Sequence, residues 1–342
     1  MIPLWYGFAG FALAAYVVLD GFDLGAGALH LWIARSDAER REVLGAIGPW
    51  WDGNEVWLLA AAGTLFVAFP TALGVAFSGF YLAMFLVVWA LILRGTAIEL
   101  RSHLASPLWR AFWDFVFSAA SGGLALLFGV ALGNLLRGVP LDGDGWFTLA
   151  FFTSFLPRAP VGLLDVYTLL IGLVAIVALM HHGALFLAWK TSGNVNTRAN
   201  LAAARLLPVL AALLVAAFAT TALVVELVPS KSGLALLALS LAALGATAHF
   251  RGKGRERAAF AASAAFLASA LGAVGATLYP TLLRSIDHAH DLTAHAATAG
   301  AYALSSGAPW YAIALVLVFA YFANLVRLHR GKVTAAKDGE GY

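Results

Sequence analysis

Two carboxylates stand at the start of an apolar run in the segment GPWWDGNEVW, residues 48–57. Asp52 and Glu55 are three residues apart, so on a helix their side chains share one face. A carboxylate that is partly withdrawn from water holds its proton more tightly and can exchange it near neutral pH. The segment therefore indicates a proton pathway that uses Asp52 and Glu55.

The same segment also has the features of an ordinary helix start. Pro49 suits a first helical position, and acidic residues in the next turn favour the positive end of the helix dipole. Trp50, Trp51 and Trp57 are expected to anchor the helix at the membrane interface. This structural interpretation explains the acid at position 52, but not the charged residues that the neighbouring apolar runs carry.

Those charged residues are predicted to lie at a similar depth on the inner side of a membrane. They are Asp20, Asp23, Arg94, Glu99, Arg101 and Asp114. Charge inside a membrane helix costs a few kcal/mol or more, so it usually lines a polar path or pairs with a partner. Together with Asp52 and Glu55, these acids make six carboxylates, which we expect to converge on one inner rim, where Arg94 and Arg101 neutralise some of them.

Composition supports a membrane location. Of the 342 residues, 62% are hydrophobic and 11% are charged, whereas an ordinary soluble domain has about one-half and one-quarter. The chain has no cysteine, which excludes iron–sulfur clusters, disulfides and thiolate metal sites, so a redox cofactor would need histidine or methionine. Basic residues in such a protein mostly report topology, and no nucleic-acid partner is expected.

The apolar runs predict nine membrane spans, each close to the roughly 20 residues that a helix needs to cross the hydrocarbon. They lie near residues 4–34, 50–70, 72–93, 115–136, 160–189, 206–228, 233–250, 258–279 and 309–326. Residues 1–3 lack the basic region of a cleavable signal, so the first run is interpreted as a true span.

The distribution of lysine and arginine tests this number of spans. When alternate connections are assigned to one face, the 21 basic residues divide 17 to 4. Cytoplasmic loops collect basic residues, so the richer face is the inner one. The division predicts an amino terminus outside and a carboxyl terminus in the cytoplasm.

Histidines offer two further possibilities. His288, His290 and His295 lie in a predicted outer loop, where a metal site is conceivable but a solvated loop is the simpler interpretation. At membrane depth, His30 and His182 form a conceivable pair of haem ligands. A histidine that forms hydrogen bonds between helices is the commoner case.

Six motifs occur in an order and spacing that resemble one known family. They are DGFDLGAG, WWDGNEVW, FSGFYLAM, RGTAIELR, WDFVF and GNLLRGVP. The chain resembles subunit II of the cytochrome bd quinol oxidases, densely over about residues 5–140. Beyond that region the similarity lies in hydropathy, length and the segment DLTAHAATAGAYAL, which is similar to the family's loop before the last helix.

The resemblance implies an all-α fold of nine transmembrane helices, which form two four-helix bundles plus one peripheral helix. It divides the chain as follows: a first bundle with the charged inner cluster over 1–140, a periplasmic connection over 141–159, a second bundle over 160–280, a periplasmic loop over 281–308, and the ninth helix with a cytoplasmic tail over 309–342. The implied location is the bacterial cytoplasmic membrane.

The resemblance also implies a reaction and a set of partners. In the family, subunit I binds two haems b and haem d and oxidises quinol, while oxygen is reduced to water with protons drawn from inside. Subunit II supports this assembly, and Asp52 matches an acid on its proton route. Asp23, Arg94 and Asp114 match charges with roles in assembly or the haem environment. A structural quinone in this subunit and small single-span subunits are further possibilities.

Two other functions stay open at this point. In a secondary transporter, the acids would bind a coupling proton or cation during alternating access. In a purely structural membrane partner, they would only seal an interface.

Overall fold

The computed structural model describes residues 1–158 and 160–333. In these ranges the chain forms eleven α-helices and one two-stranded antiparallel sheet. The helices are α1 Ile2–Ile33, α2 Asp37–Ile47, α3 Trp51–Ala68, α4 Pro70–Gly79, α5 Tyr81–Leu100, α6 Pro107–Arg137, α7 Val166–Lys190, α8 Gly193–Thr220, α9 Lys231–Gly252, α10 Glu256–Leu278 and α11 Ala301–Leu328. The strands are β1 Thr281–Leu283 and β2 Leu292–Thr293.

Within the described residues, eight helices are long and apolar enough to cross a membrane. They are α1, α5, α6, α7, α8 with the π-helical turn that follows it, α9, α10 and α11. The short helices α2 and α4 are not in this set, and neither is α3, the counterpart of the predicted span over 50–70, whose 18 residues include Asp52, Asn54 and Glu55. Eight of the nine predicted spans are thus confirmed as apolar helices of sufficient length, and the span at α3 stays a prediction.

α3 nevertheless lies along α1. Near its start, Asn54 donates a hydrogen bond to the Asp23 carboxylate of α1, and at its end Ala68 packs in one apolar cluster with Trp5. Since these contacts join opposite ends of the two helices, α3 runs antiparallel to α1. Elsewhere α1 packs against α6 and α7, α5 packs on α6, and α7 to α10 pack among themselves.

The predicted span over residues 72–93 is wrong in its bounds. The structure ends one short helix at Gly79 and begins α5 at Tyr81. The turn is fixed by the outer loop: the Phe147 ring occupies the space beside Gly79 where a Cβ would stand, and it also packs edge-on against Phe80. Hydropathy did not mark this turn because residues on both sides are apolar. As a result, Arg94 lies within α5 rather than beyond its end.

Helix α2 was not predicted, since the sequence between the first two spans is polar. Its start is nevertheless marked locally, because Ser36 and Glu39 form a capping box in which each side chain accepts hydrogen bonds from the backbone of the other's turn. Val43, Leu44, Ala46 and Ile47 are buried on its apolar side. The helix therefore packs on the bundle directly after α1, where a loop was expected.

Glu39 of α2 also joins the two halves of the chain through an ion pair with Arg198 of α8, at 2.5 Å. Partial burial acts to raise the pKa of Glu39. Hydrogen bonds from Arg198 and from the backbone N–H groups of Arg35 and Ser36 outweigh this effect and hold the pKa below its ordinary value of 4.5. The ionised form of Glu39 therefore stabilises the folded state.

A Glu39→Gln variant tests this contribution, because glutamine keeps the capping bonds but loses the charge. A carboxylate whose pKa is depressed by folding contributes its stability above the unfolded pKa and loses it as the pH falls through the folded pKa. We therefore expect the variant to be less stable by about 1 kcal/mol at pH 7, with the difference closing as the pH falls below the ordinary pKa of 4.5 and through the lowered pKa of the folded state. Thermal unfolding measured across this pH range checks the prediction, and an equal difference at every pH would contradict it.

Helices α1 and α7 cross at close range. A Cβ at Gly25 would collide with the backbone of Leu179, and one at Gly183 would collide with the backbone of Gly25. Gly21 faces the Leu179 side chain at 2.9 Å from an added Cβ. Small residues let the two backbones approach, as is usual for helix packing in membranes.

Gly25→Ala is therefore expected to lower the free energy of unfolding by about 3 kcal/mol, because backbone atoms cannot move aside as a flexible side chain can. Gly123→Ala in α6 is the matched control, since nothing lies within 4 Å of an added Cβ there. Thermal unfolding of both purified variants checks the prediction. Equal melting temperatures for the two variants would show that the α1–α7 crossing tolerates separation.

Candidate functional site

Charged side chains from three helices meet inside the first half of the protein. Arg94 of α5 donates one hydrogen bond to Asp20 of α1 at 2.6 Å and another to Glu55 of α3 at 3.1 Å. Arg94 and Asp20 are fully buried, while 27% of the Glu55 side chain is exposed. We call these residues, together with Tyr16, Asp23 and Asn54, the membrane cluster.

Asp23 lies in the membrane cluster without an arginine of its own. Its Oδ2 accepts a hydrogen bond from the Asn54 amide at 2.7 Å, and Asn54 also donates to the backbone carbonyl of Leu19. Buried oxygens without a hydrogen-bond partner in the described chain occur on Tyr16, Asp20, Asp23 and Asn54. The cluster is therefore rich in buried acceptor atoms.

The charge balance of the membrane cluster is uneven. It combines three carboxyl groups, those of Asp20, Asp23 and Glu55, with the single guanidinium of Arg94. Burial of an uncompensated charge costs several kcal/mol in a medium of low dielectric constant. A proton bound by one of the carboxyl groups is the simplest compensation, so the arrangement is suited to holding a proton.

Asp52 lies at the surface, in the first turn of α3. It is exposed and forms neither a hydrogen bond nor an ion pair with another residue of the described ranges. Glu55, one helical turn further, is the nearest member of the membrane cluster along α3. Asp52 therefore stands outside the membrane cluster and next to its partly exposed acid.

The three tryptophans of this segment are buried between helices. Trp50 lies beside His329 and beneath the Lys190 ammonium, while Trp57 packs edge-on against Phe11. Trp51 is also buried, and its ring reaches the position where Gly95 would carry a Cβ. Interface anchoring by lipid contact was expected from the sequence, but packing against the protein occupies most of their surface.

A second charged group lies near the carboxyl ends of α1 and α5 and centres on Asp114 of α6. The Asp114 carboxylate accepts hydrogen bonds from Arg101 at 2.6 and 3.2 Å, from Arg40 at 2.8 Å, and contacts His30 at 2.7 Å. Arg101 also donates to Asp37 of α2 at 2.9 Å. We call these five residues the rim cluster.

The expectation that six carboxylates converge on one rim is wrong. His30 of the rim cluster is ten residues beyond Asp20 of the membrane cluster, which corresponds to about 15 Å along α1. Asp114 is satisfied within the rim cluster, and Glu99 is exposed in the last turn of α5. The two clusters are thus separate, because carboxylates that look equivalent on hydropathy lie at different depths.

Sequence reasoning missed several partners. His30 and Arg40 complete the rim cluster, and Asn54 completes the membrane cluster. Asn54 could have been proposed as a member of the cluster from the sequence, since this amide lies between Asp52 and Glu55 on the same stretch of helix. Arg40 could not have been placed, because its loop was not recognised as helix α2.

The histidines at membrane depth are engaged in hydrogen bonds. His182 uses both ring nitrogens, one with Ser263 at 2.9 Å and one with the carbonyl of Val18 at 3.0 Å, and its ring stacks on Phe260. His30 points its Nε2 at Asp114. His182 would have to give up one of these partners to bind a haem iron, and both rings form the hydrogen bonds between helices that are common for membrane histidines.

The histidines of the segment between α10 and α11 lie among charged residues. His288 contacts Arg284 at 3.2 Å, and His290 lies 3.7 Å from Asp287. No group of three or more potential ligands comes together within residues 1–158 and 160–333.

Comparisons with known proteins place this geometry in a family. Cytochrome bd-I ubiquinol oxidase subunit 2 of Escherichia coli is 39% identical over 195 residues, which is 57% of this chain and 50% of that protein. Cytochrome bd ubiquinol oxidase subunit 2 of Bacillus subtilis is 30% identical over 304 residues, covering 88% of this chain and 87% of that protein. The alignment with the E. coli relative thus spans about half of that protein's length.

The fold and the family model agree with these relatives. The solved structure of bd oxidase from Geobacillus thermodenitrificans matches with a TM-score of 0.77 at 16% identity, and the match covers 96% of this chain and 98% of that one. The family model described as cytochrome bd terminal oxidase subunit II matches residues 1–329. This multi-pass membrane protein therefore belongs to the family of cytochrome bd terminal oxidase subunit II.

Proposed function

We propose that this chain is subunit II of a bd-type quinol oxidase in the bacterial cytoplasmic membrane, with its amino terminus outside. It supports a haem-bearing subunit I and supplies part of the route by which cytoplasmic protons reach the site of oxygen reduction. The observation that carries the proton route is the buried group of Asp20, Arg94 and Glu55, with the exposed Asp52 one turn before Glu55.

The proposed route begins at Asp52, which can exchange protons with water on the inner side. Glu55 follows at helical spacing and is partly exposed, so it can receive a proton and pass it inward. Arg94 fixes the orientation of both Glu55 and Asp20 through its two hydrogen bonds. Asp20 and Asp23, with their unpartnered oxygens, form the buried end of this part of the route.

The haems implied by the family belong to subunit I in this proposal. In this chain, His182 forms hydrogen bonds with both ring nitrogens, and the Nε2 of His30 faces Asp114. Two haems b and one haem d are expected in subunit I. What this chain contributes is support, orientation of its own carboxylates and the movement of protons.

The exposed face of α3 and α5 is suited to contact with subunit I. These two helices expose large apolar side chains, among them Leu59 of α3 and Phe85 and Trp89 of α5, and α3 also exposes the Asp52 carboxylate. A carboxylate facing lipid is costly, so a protein partner or water is the expected environment of Asp52.

In the proposed reaction, quinol is oxidised and oxygen is reduced to water. Protons released from quinol leave on the outer side, and the protons consumed in forming water enter from the inner side. Charge is therefore separated by the places of entry and release, without a pump. The family match supports this function over a secondary transporter.

The test is purification of the chain together with its partners, followed by an optical spectrum, a quinol oxidase assay and quinone extraction. We expect a haem-bearing partner, oxygen consumption that depends on quinol, and no solute uptake when the chain alone is reconstituted in vesicles. A chain that purifies without haem protein and takes up a solute would support the transporter instead.

A further inference from the structure

A cavity of about 610 Å³ lies where the start of α10 meets the end of α7 and the segment that follows α11. Its wall includes Arg255, Arg257 and Lys332 as well as Trp189. By the distribution of lysine and arginine, this end of the helices is the inner side of the membrane. The cavity takes no part in the proton route.

The positive charge of this cavity is available to a ligand. Arg255 and Arg257 are exposed, and neither forms an ion pair within the described residues. The guanidinium of Arg255 lies over the Phe250 ring, 5.5 Å from its centroid, a contact that leaves the charge in place. The first turn of α10 also has no side-chain cap, so its backbone N–H groups add to the positive potential.

The one acid in the wall is already neutralised. Glu256 accepts hydrogen bonds from Asn196 at 2.7 Å, from Asn200 at 3.3 Å and from Lys332 at 3.0 Å. Lys332 is further held by the backbone carbonyls of Ala188 and Thr191. The two arginines therefore give the cavity its excess positive charge.

An apolar strip leads from this cavity along α10. Ala258 and Ala261 line the cavity, and Ala265 lies one turn further on the same face. Ala261 and Ala265 are exposed, and their methyl groups leave a shallow groove on a helix that crosses the membrane. The Trp189 ring, stacked against Phe260, forms one side of it at the level where tryptophan commonly meets lipid headgroups.

We propose that this cavity binds the phosphate of an anionic phospholipid of the inner leaflet, with an acyl chain along the alanine strip. Arginine pairs with phosphate through charge-assisted, often bidentate hydrogen bonds. Basic pockets between membrane helices on the cytoplasmic side are suited to anionic headgroups. The adjoining apolar strip favours a lipid over free phosphate, which would leave the strip unused.

The test is a lipid titration of the delipidated full complex, followed by native mass spectrometry with phosphatidylglycerol or phosphatidylcholine. Arg255→Gln/Arg257→Gln is expected to weaken phosphatidylglycerol binding about tenfold, which corresponds to about 1.4 kcal/mol. Lys253→Gln/Arg327→Gln removes the same charge from exposed residues of the same face that do not line the cavity, and it should bind like the wild type.

Two further measurements, of phosphatidylglycerol binding and of inorganic phosphate binding to one variant, distinguish a lipid from a free anion. Ala261→Phe fills the exposed strip, so it is expected to weaken phosphatidylglycerol binding while binding of inorganic phosphate stays unchanged. The proposal would be overturned by equal affinity for the two lipids, by equal effects of the two double variants, or by unchanged lipid binding in Ala261→Phe. All three outcomes are measurements of lipid binding, so they do not depend on whether the complex proves to be a quinol oxidase.

Discussion

Arg94→Gln should destabilise the protein by about 3 to 5 kcal/mol, because it leaves the fully buried Asp20 without its counter-ion. Glutamine can replace one hydrogen bond but not the charge, and the neighbouring Glu55 and Asp23 add further negative charge. We expect a large loss of assembled complex and a lower melting temperature. Thermal unfolding and the yield of purified complex measure this effect.

A second substitution separates charge imbalance from loss of shape. Asp20→Asn combined with Arg94→Gln removes both members of the buried pair, so the double variant should be more stable than Arg94→Gln alone. Arg205→Gln on α8 is the control, since Arg205 is exposed and its loss should change stability by about 0.5 kcal/mol or less. If Arg94→Gln were as stable as Arg205→Gln, the membrane cluster would not be held together by this ion pair.

Asp52→Asn should lower quinol-dependent oxygen consumption about tenfold or more, equivalent to about 1.4 kcal/mol in the barrier. An amide of the same shape cannot take up and release a proton at the start of the proposed route. The haem spectrum and the melting temperature should stay close to those of the wild type, because Asp52 is exposed and forms no ion pair in the described ranges. Oxygen uptake by the assembled complex is the measurement.

The matched control is Asp144→Asn, an exposed carboxylate in the loop after α6 that has no place in the proposed route. It should leave oxygen consumption unchanged. Unchanged consumption in Asp52→Asn as well, with intact haems, would favour the purely structural role in which the acids only seal an interface. The stability of Arg94→Gln would still show whether the buried ion pair holds the helices together. The two predictions can therefore be contradicted independently.

The membrane character and the family could be predicted from the sequence alone, since both depend on which residues follow one another in the chain. Apolar runs have to be long enough to cover the hydrocarbon, and six motifs in sequence are specific to the family. The ends of the helices could not be predicted where the sequence is continuously apolar, as at Gly79 and Phe80, because a turn inside an apolar run does not change the hydropathy. Helix α2 had a local signal in Ser36 and Glu39, and it was overlooked.

The sequence by itself determined that acids and arginines of the first half lie within or beside membrane helices, because their neighbours in the chain are apolar. Only the tertiary structure decided which of them meet. Arg94 pairs with Asp20 and Glu55, whereas Arg101 pairs with Asp114, since depth along α1 and the rotation of each helix select the partners. The same rotation leaves Asp52 at the surface while Asn54, two residues later, is buried against Asp23.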